Sequence, residues 1–497
     1  MGAQGRITTP AIATAVTADL TPELLGELVH RAARADYARF EAQLRSSGYC
    51  ARPVRLVGHF DTCPPDGRRR RWSTDSEPDG ILRKACGNRR EVVCPPCAER
   101  YRQDAYHLIA AGLRGGKGIP DTVTGHPALF VTLTAPSFGL VHTRPTGPDG
   151  RPRRCRPRRA GPVCPHGERL SCAQVHADDD PCLGEPLCAQ CFDHQGAVVW
   201  NNALGELWRR TTIYVPRKLA RRLGLTQNRV RKRVRVSFIK VAEYQRRGLV
   251  HLHVVVRLDR KLPAYRRDQV RLPDPCFTVE LLEHAVRAAV ADVRAPLPDE
   301  LGGGQVRWGS ELDIRHLDAR ARREVAGYLA KYATKSTELA GSVAHPVTEA
   351  AVDRLPVREH VRTYLRAAFH LHADPELAGR RFGACAHALG YRGHCVTKSR
   401  RYSTTFKALR QAREQHVHEQ LLARAGDPLR RTVAAPERVT RLRFVGQGHI
   451  TAADAFLAAS AAARAREQRR LVREARPRRS TREMEVSGQA AATEAAR

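Results

Sequence analysis

The stretch GLVHLHVVVRLD, residues 248–259, places two histidines one residue apart in an apolar run. A β-strand alternates faces with period two, so His251 and His253 share a face while Val250, Leu252, Val254 and Val256 form the other. The apolar face suits a layer of helix. The histidine face suits either a half-exposed sheet surface or a metal site built on a rigid strand. This stretch alone leaves both readings open.

The neighbouring residues favour the metal reading. RVRVSFIKVAEY (233–244) alternates as a strand and is separated from the histidine run by QRRG, so the two read as an antiparallel pair. Glu243 stands eight residues before His251, where the hairpin brings a carboxylate beside two imidazoles. Two histidines and one carboxylate leave coordination positions open for substrate oxygens. PALFVTLTAPS (127–137) is a further strand. Helix is expected at 278–293, strand at 306–315 and helix at 318–335.

On the last of these helices lies GYLAKYATKS (327–336). Helical geometry puts Tyr328, Tyr332 and Lys335 on one face, with the tyrosines about 6 Å apart. A buried tyrosine stripe is the plainer reading, but a lysine on the same face does not suit a dry core. A tyrosine hydroxyl near a metal-bound phosphate is a competent nucleophile for phosphoryl transfer. Lys335 would orient the phosphate or lower the tyrosine pKa.

Length and charge set the wider frame. A chain of 497 residues is expected to fold as roughly two to four units. A net charge of +34 points to a polyanionic partner, nucleic acid first. The cations are 75 Arg against 10 Lys, which reads as a GC-rich coding genome. No stretch approaches the roughly 20 apolar residues of a spanning helix, and the N-terminal residues do not read as a signal peptide. The expected location is the cytoplasm, with no membrane partner. GLRGGKG (112–118) lacks the spacing of a phosphate loop and reads as a turn.

Fourteen cysteines in such a compartment suggest metal rather than disulfides. CGNRREVVCPPC supplies Cys86, Cys94 and Cys97, with Cys50 or Cys63 as a fourth ligand. CPHGERLSC and LCAQC supply Cys164, Cys172, Cys188 and Cys191, with Cys182 and His176 competing. Both groups carry the CxxC spacing of structural zinc. Cys276, Cys385 and Cys395 read as scattered buried thiols. Two basic runs contain no acid: eleven Lys/Arg between Arg209 and Arg235, including Arg231, Lys232 and Arg233, and six between Lys398 and Arg413. The second run holds Lys398, Arg400, Arg401 and Tyr402, and aromatics among cations suit a single-stranded nucleic-acid track.

Taken in order, FVTLTAPSFGLVH (130–142), EYQRRGLVHLH (243–253), GYLAKYATKS (327–336) and GYRGHCVTKSRRYSTTFKALR (390–410) resemble the HUH endonuclease superfamily. Within it, the chain is most similar to rolling-circle replication initiators of actinobacterial plasmids and integrative elements. The resemblance covers roughly residues 50–410. It implies an α/β (α+β) fold: an antiparallel-sheet nicking domain with helices on one face, zinc-binding modules and a helical C-terminal region. It implies Mg²⁺ or Mn²⁺ on Glu243, His251 and His253. It implies nicking of origin DNA, single-stranded or in an extruded hairpin, through a 5′-phosphotyrosine, with Tyr332 acting first and Tyr328 second. The freed 3′-OH would start rolling-circle replication, with host helicase and polymerase as partners. The stretch beginning at Cys50 is similar to the family, which favours Cys50 over Cys63. A transposase or relaxase uses similar residues, but in relaxases the tyrosine usually precedes the histidines. A non-catalytic zinc-containing DNA-binding regulator is the alternative of another class.

The expected organisation is a helical segment at 1–49 and a zinc module at 50–110. A nicking domain follows at 120–340, with a zinc-binding insertion at about 150–195. A helical basic region at 341–460 precedes a disordered basic tail at 461–497.

Overall fold

The computed structural model describes residues 20–63, 70–158, 161–266, 268–334, 340, 341, 343, 345–424 and 437–475. They divide into two units. One contains the described residues up to 88, 92–97 and 437–475; the other contains 89–91 and 98–424.

The larger unit is built on a five-stranded antiparallel sheet in the order β10-β5-β6-β4-β9. The central hairpin is β5 (Val234–Tyr244) and β6 (Val250–Arg260), as the alternation predicts. β4 (Ala128–Leu133) pairs with β6 and with β9 (Leu312–His316). The strand expected at 306–315 is therefore two: its first part is β8 (Gln305–Arg307), which pairs with β7 (Arg294–Pro296) instead. β10 (Val396–Lys398) adds to the β5 edge.

One face of the sheet carries Leu129, Val131, Val250, Leu252, Val254 and Val256. It is covered by α4 (His194–Arg222), whose Trp200, Leu204 and Trp208 are buried as their spacing predicts, and by α6 (Val279–Asp292) and α8 (Glu359–Ala373). The short α5 (Gln227–Arg233) leads from α4 into β5. Helices pack on this face as expected, but the opposite face carries helices too. There Phe130, Ile239, Val241 and Val255 meet Leu108, Ile109 and Leu113 of α3 (Pro95–Arg114), Ala326 and Leu329 of α7 (Ala319–Tyr332), and Leu409 of α9 (Phe406–Arg424). The histidine face is thus largely roofed.

A buried ionic group locks this second layer. Arg257 and Asp259, both fully buried, bond to each other at 2.7 and 3.0 Å. Asp259 also accepts from Ser237 at 2.5 Å and pairs with His126 at 2.8 Å, while Arg257 donates to the carbonyls of Gly112 and Tyr402. Burial pushes the Asp259 carboxyl up, but the His126 bond and the Arg257 charge outweigh it and hold it well below the usual range.

In the smaller unit, β1 (Val54–Cys63) is paired along its whole length with β11 (Glu437–Gln447), and on its other edge with β2 (Arg70–Ser73) and β3 (Leu82–Lys84). α1 (Pro22–Ala33) begins at a Thr21 cap, whose hydroxyl accepts from Leu24 N at 3.3 Å. α2 (Tyr37–Ser46) packs Phe40 and Leu44 with Ala458 of α10 (Ala452–Ala475). Arg31 bridges Asp454 at 2.8 Å and Asp79 at 3.1 Å.

Three expected boundaries are corrected. Residues 1–49 and 50–110 are not separate modules, since the described parts of 1–88 fold with the strand and helix of 437–475. The region 341–460 is not simply helical: β10 completes the central sheet, and β11 could not be recognised without β1, its distant partner. The tail expected to be disordered from 461 continues α10 to Ala475, and its remainder, 476–497, lies outside the described residues.

Asp259→Ala leaves the Arg257 guanidinium buried without its counter-charge. We expect a loss of roughly 3–5 kcal/mol in urea unfolding at pH 7. The stabilisation from this carboxylate is present above about pH 4 and fades as the pH falls towards its depressed folded pKa.

Candidate functional site

The β5–β6 register sets the candidate active site. Glu243 lies opposite His251, and Val241 opposite His253, which on its other side faces Thr132 of β4. Glu243, His251 and His253 therefore share the face that α7 crosses. His253 is buried rather than exposed, with 4% of its surface accessible. Its Nε2 lies 2.6 Å from Glu243 Oε2 and its Nδ1 3.1 Å from Thr132 Oγ1. Thr132 is thus a site residue that spacing alone did not single out, although it sits in the quoted TLT. A carboxylate accepts, so Nε2 carries the proton shared with Glu243 in this arrangement, and a cation held by Nε2 and Glu243 would displace that proton while Thr132 Oγ1 accepts from Nδ1–H.

His251 stands apart. Its Nε2 is buried and makes no hydrogen bond, and burial, then the neighbouring His253 and Arg247, lower its pKa to about 3. The three donors do not close into a cage: among the described residues, the groups with all donor atoms within 4.8 Å are one four-cysteine cluster and two cysteine–histidine clusters, none of which includes them.

The tyrosines stand over this face. The Tyr328 and Tyr332 rings lie 5.4 and 5.5 Å from the His253 ring and 4.6 Å from each other. α7 is aimed here by its Asp318 cap, which accepts from Ala321 N at 2.7 Å, and by Arg322, which donates to the carbonyls of Leu317 and His126 at 2.9 Å. Phe130 packs edge-on against Tyr328. Tyr328 remains 40% exposed. Burial, the Tyr332 hydroxyl and the Glu243 charge push its phenol well above the ordinary value. Lys335 lies outside the described residues.

The cysteines form three groups rather than two. Cys50 joins Cys86, Cys94 and Cys97, with sulfur separations of 3.6–3.7 Å. A tetrahedral zinc with Zn–S bonds near 2.3 Å separates its sulfurs by about 3.8 Å, so this set could hold one. Cys63 instead ends β1. Cys164, Cys188 and Cys191 gather round His166, whose Nδ1 is 3.2 Å from Cys191 and 3.6 Å from Cys188. Cys172, expected as the fourth ligand there, belongs to the third group, with His142, Cys155 and His176. His166 was legible in CPHGERLSC as a ligand two residues from Cys164; Cys155 and His142 carried no spacing signal. Cys182 is exposed and, like Cys276, Cys385 and Cys395, joins none of these groups; of the three thiols expected to be buried, Cys395 is, Cys385 is half-buried and Cys276 is exposed.

The basic residues divide. Arg231 and Lys232 are exposed on α5, and Arg400 is exposed beyond β10. Arg233 is tied to Asp274 at 2.8 Å, and Arg401 pairs with Asp268. Lys398 caps the Ser403 carbonyl at 2.9 Å. Tyr402 is no stacking platform. It is fully buried, donates to Ile109 O at 3.2 Å and lies under the Arg257 guanidinium.

With this geometry in place, the comparisons with known proteins are informative. The family model described as "Replication initiator protein, pSAM2" matches residues 36–463. The chain belongs to this replication initiator family. A replication initiator protein of Streptomyces ambofaciens is 40% identical to it over 476 residues, which cover 92% of this chain and 96% of that protein. No solved structure matches. The family match spans the histidine hairpin, the tyrosine helix and all three cysteine groups. Among the described residues, no helix is long and apolar enough to cross a membrane.

The choice between Cys50 and Cys63 is open to direct measurement. Cys50→Ala is expected to lower the zinc content of the purified chain by one ion, and Cys63→Ser to leave it unchanged, by elemental analysis.

Proposed function

We propose that this initiator nicks plasmid origin DNA through a covalent phosphotyrosine and so starts rolling-circle replication. The observation that carries the reading is the pair of tyrosine rings whose centres lie within 5.5 Å of the His253 ring, one edge-on and one tilted, above a face that also holds Glu243 and His251. A tyrosine pair serving only to fill a core would not need a half-buried Glu–His bond beneath it.

Glu243, His251 and His253 fit a divalent cation by donor type, and the buried unpartnered Nε2 of His251 is what such a ligand set leaves when no cation is present. Bound there, Mg²⁺ or Mn²⁺ would polarise the scissile phosphate as a Lewis acid. The chain's own residues do the rest. Thr132 and Glu243 hold the two ring nitrogens of His253 and fix its orientation. Phe130 and α7 hold the phenols at the site. The raised pKa of Tyr328 keeps its proton in place until a phosphate arrives. In the step itself the tyrosine Oη bonds to phosphorus, the P–O3′ bond breaks, and the departing 3′ oxygen takes a proton to become the primer hydroxyl. Two tyrosines allow a second cut while the first still carries DNA. Tyr332, which Lys335 follows three positions later in the sequence, is assigned the first cut and Tyr328 the second.

Arg231, Lys232 and Arg400 are placed on the DNA as phosphate contacts. The substrate is origin DNA, single-stranded or extruded as a hairpin. Strand separation and synthesis fall to host helicase and polymerase in the cytoplasm.

Glu243→Ala, His251→Ala and His253→Ala are each expected to lower Mg²⁺-dependent nicking of an origin oligonucleotide by about 10²–10⁴-fold, with DNA affinity largely kept. Normal cutting by any one removes that residue from the ligand set.

Tyr332→Phe keeps the ring but removes the nucleophilic oxygen, and is expected to abolish the covalent adduct on a first substrate. Tyr328→Phe is expected to cleave once and fail to release a closed circle. Undiminished cleavage by the double Phe variant would overturn the assignment of the nucleophile.

A further inference from the structure

The third cysteine–histidine group has the dimensions of a filled metal site. A tetrahedral zinc with Zn–N near 2.05 Å and Zn–S near 2.3 Å separates two nitrogens by about 3.3 Å, and a nitrogen from a sulfur by about 3.6 Å. His142 Nδ1 and His176 Nε2 are 3.3 Å apart, Cys172 Sγ and His176 Nε2 3.5 Å, and Cys155 Sγ and His142 Nδ1 4.0 Å. All four donor atoms lie within 4.8 Å of one another, and Cys155 and His176 are buried.

The surroundings point the same way. Asp180 Oδ2 lies 2.7 Å from His176 Nδ1. A carboxylate there keeps the proton on Nδ1 and turns the Nε2 lone pair towards Cys172 and His142, the tautomer that a metal-ligating histidine adopts. The segments supplying the ligands are stitched by backbone bonds: Cys155 N to Gln174 O, Arg156 N to Cys172 O and Cys172 N to Arg156 O, at 2.8–3.0 Å. Two thiols and two imidazoles brought this close have little to gain from one another without a cation, since thiols are weak donors.

The same loop reaches the turn of the candidate catalytic hairpin. Arg246, in the turn between β5 and β6, donates to the carbonyls of Asp178 and Asp180. Arg358 donates to Arg246 O at 2.9 Å and to Leu183 O at 3.1 Å, and pairs with Glu185 at 2.8 Å. Gly184, at φ +87°, passes so close that a Cβ there would lie 2.5 Å from the Arg246 carbonyl carbon. Residues 178–185 thus form a strap across the turn, and the strap is tied to His176 through the Asp180 side chain. Glu243 and His251 flank that turn, two positions outside the Gln245–Leu249 closure.

We propose that His142, Cys155, Cys172 and His176 bind a third, structural zinc ion, and that this ion, through Asp180 and the 178–185 strap, positions the turn that joins Glu243 to His251. The positioning half rests on the nicking reading above; the metal half does not. His176 and Asp180 are positioning residues, remote from the phosphate.

The test uses the full chain expressed with zinc. Elemental analysis should give three zinc ions per chain, two in Cys155→Ser/Cys172→Ser, and three in His142→Cys, which keeps a ligating side chain. Amide hydrogen exchange across Gln245–Leu249 should quicken about tenfold in the double serine variant, return to the wild-type rate in His142→Cys, and stay unchanged in Cys86→Ser, which disrupts another cluster. Nicking by the double serine variant should lose about tenfold in kcat, with KM for the origin oligonucleotide unchanged. Two zinc ions in the wild type, or an unaltered count in the double variant, overturns the site. Loss of one zinc with no change in exchange at the turn overturns the coupling. Three zinc ions with the exchange response intact, but no nicking by the wild type, would instead count against the nicking reading and leave the site standing.

Discussion

The pairing of β5 with β6 is the constraint on which the rest of the candidate site depends. Side chains alternate across a strand, so a slip of one residue would turn both histidines into the apolar layer of α4 and take the histidines away from the tyrosines of α7. The register is held from both ends and from below. At the turn, Gln245 N reaches Leu249 O at 2.8 Å, and Gly248 takes a φ of +83° with Tyr364 packed where a side chain would be. Beneath, buried Asn201 donates to Gly248 O at 3.0 Å and accepts from Val250 N at 3.1 Å. At the far end, Asp259 and Ser237, one residue from each strand, are bonded to each other. The valines of β6 bury their face at roughly 25 cal/mol per Å² removed from water. That apolar term makes the alternative register costly.

Much of this was legible because it is local. Period two over 233–260 and the helical spacing over 319–332 are signals that neighbouring residues carry by themselves. What was not legible depends on distant partners. β10 is a three-residue edge strand that exists because β5 offers it an edge. Cys172 sits near Cys164 in the sequence, but a loop delivers it to His176, and His166 takes the expected place. Tyr402 lies among cations, as a base-stacking residue would. Its burial follows from Gly112 of α3, where even a methyl group would collide with the tyrosine ring. A glycine nearly three hundred residues away cannot be read from the composition of the run.

The charge needs the same discrimination. A net +34 identifies the class of partner, but individual cations have different duties. Arg257 and Arg322 are buried and hold carbonyls; Arg31 and Arg83 each place a guanidinium within 5.0 Å of the Phe40 ring centre in the smaller unit. Arg233, Arg401 and Lys398 are tied to their surroundings. The cations left exposed on α5 and beyond β10 are fewer than the runs suggest. An arginine-rich composition here is partly architecture, with guanidinium groups doing by hydrogen bonding what apolar side chains do elsewhere by packing.

The pairing of β1 with β11 also orders events in time. A ribosome adds about 5–20 residues each second, so β1 emerges well before the strand that will flank it. Until then its β11 edge lacks its native neighbour, while the five-stranded unit, encoded entirely between the two, can already assemble. Assembly from the middle outward follows. The emerging β1 edge meanwhile resembles an unpaired edge strand, the kind of surface that chaperones shield and that aggregation exploits.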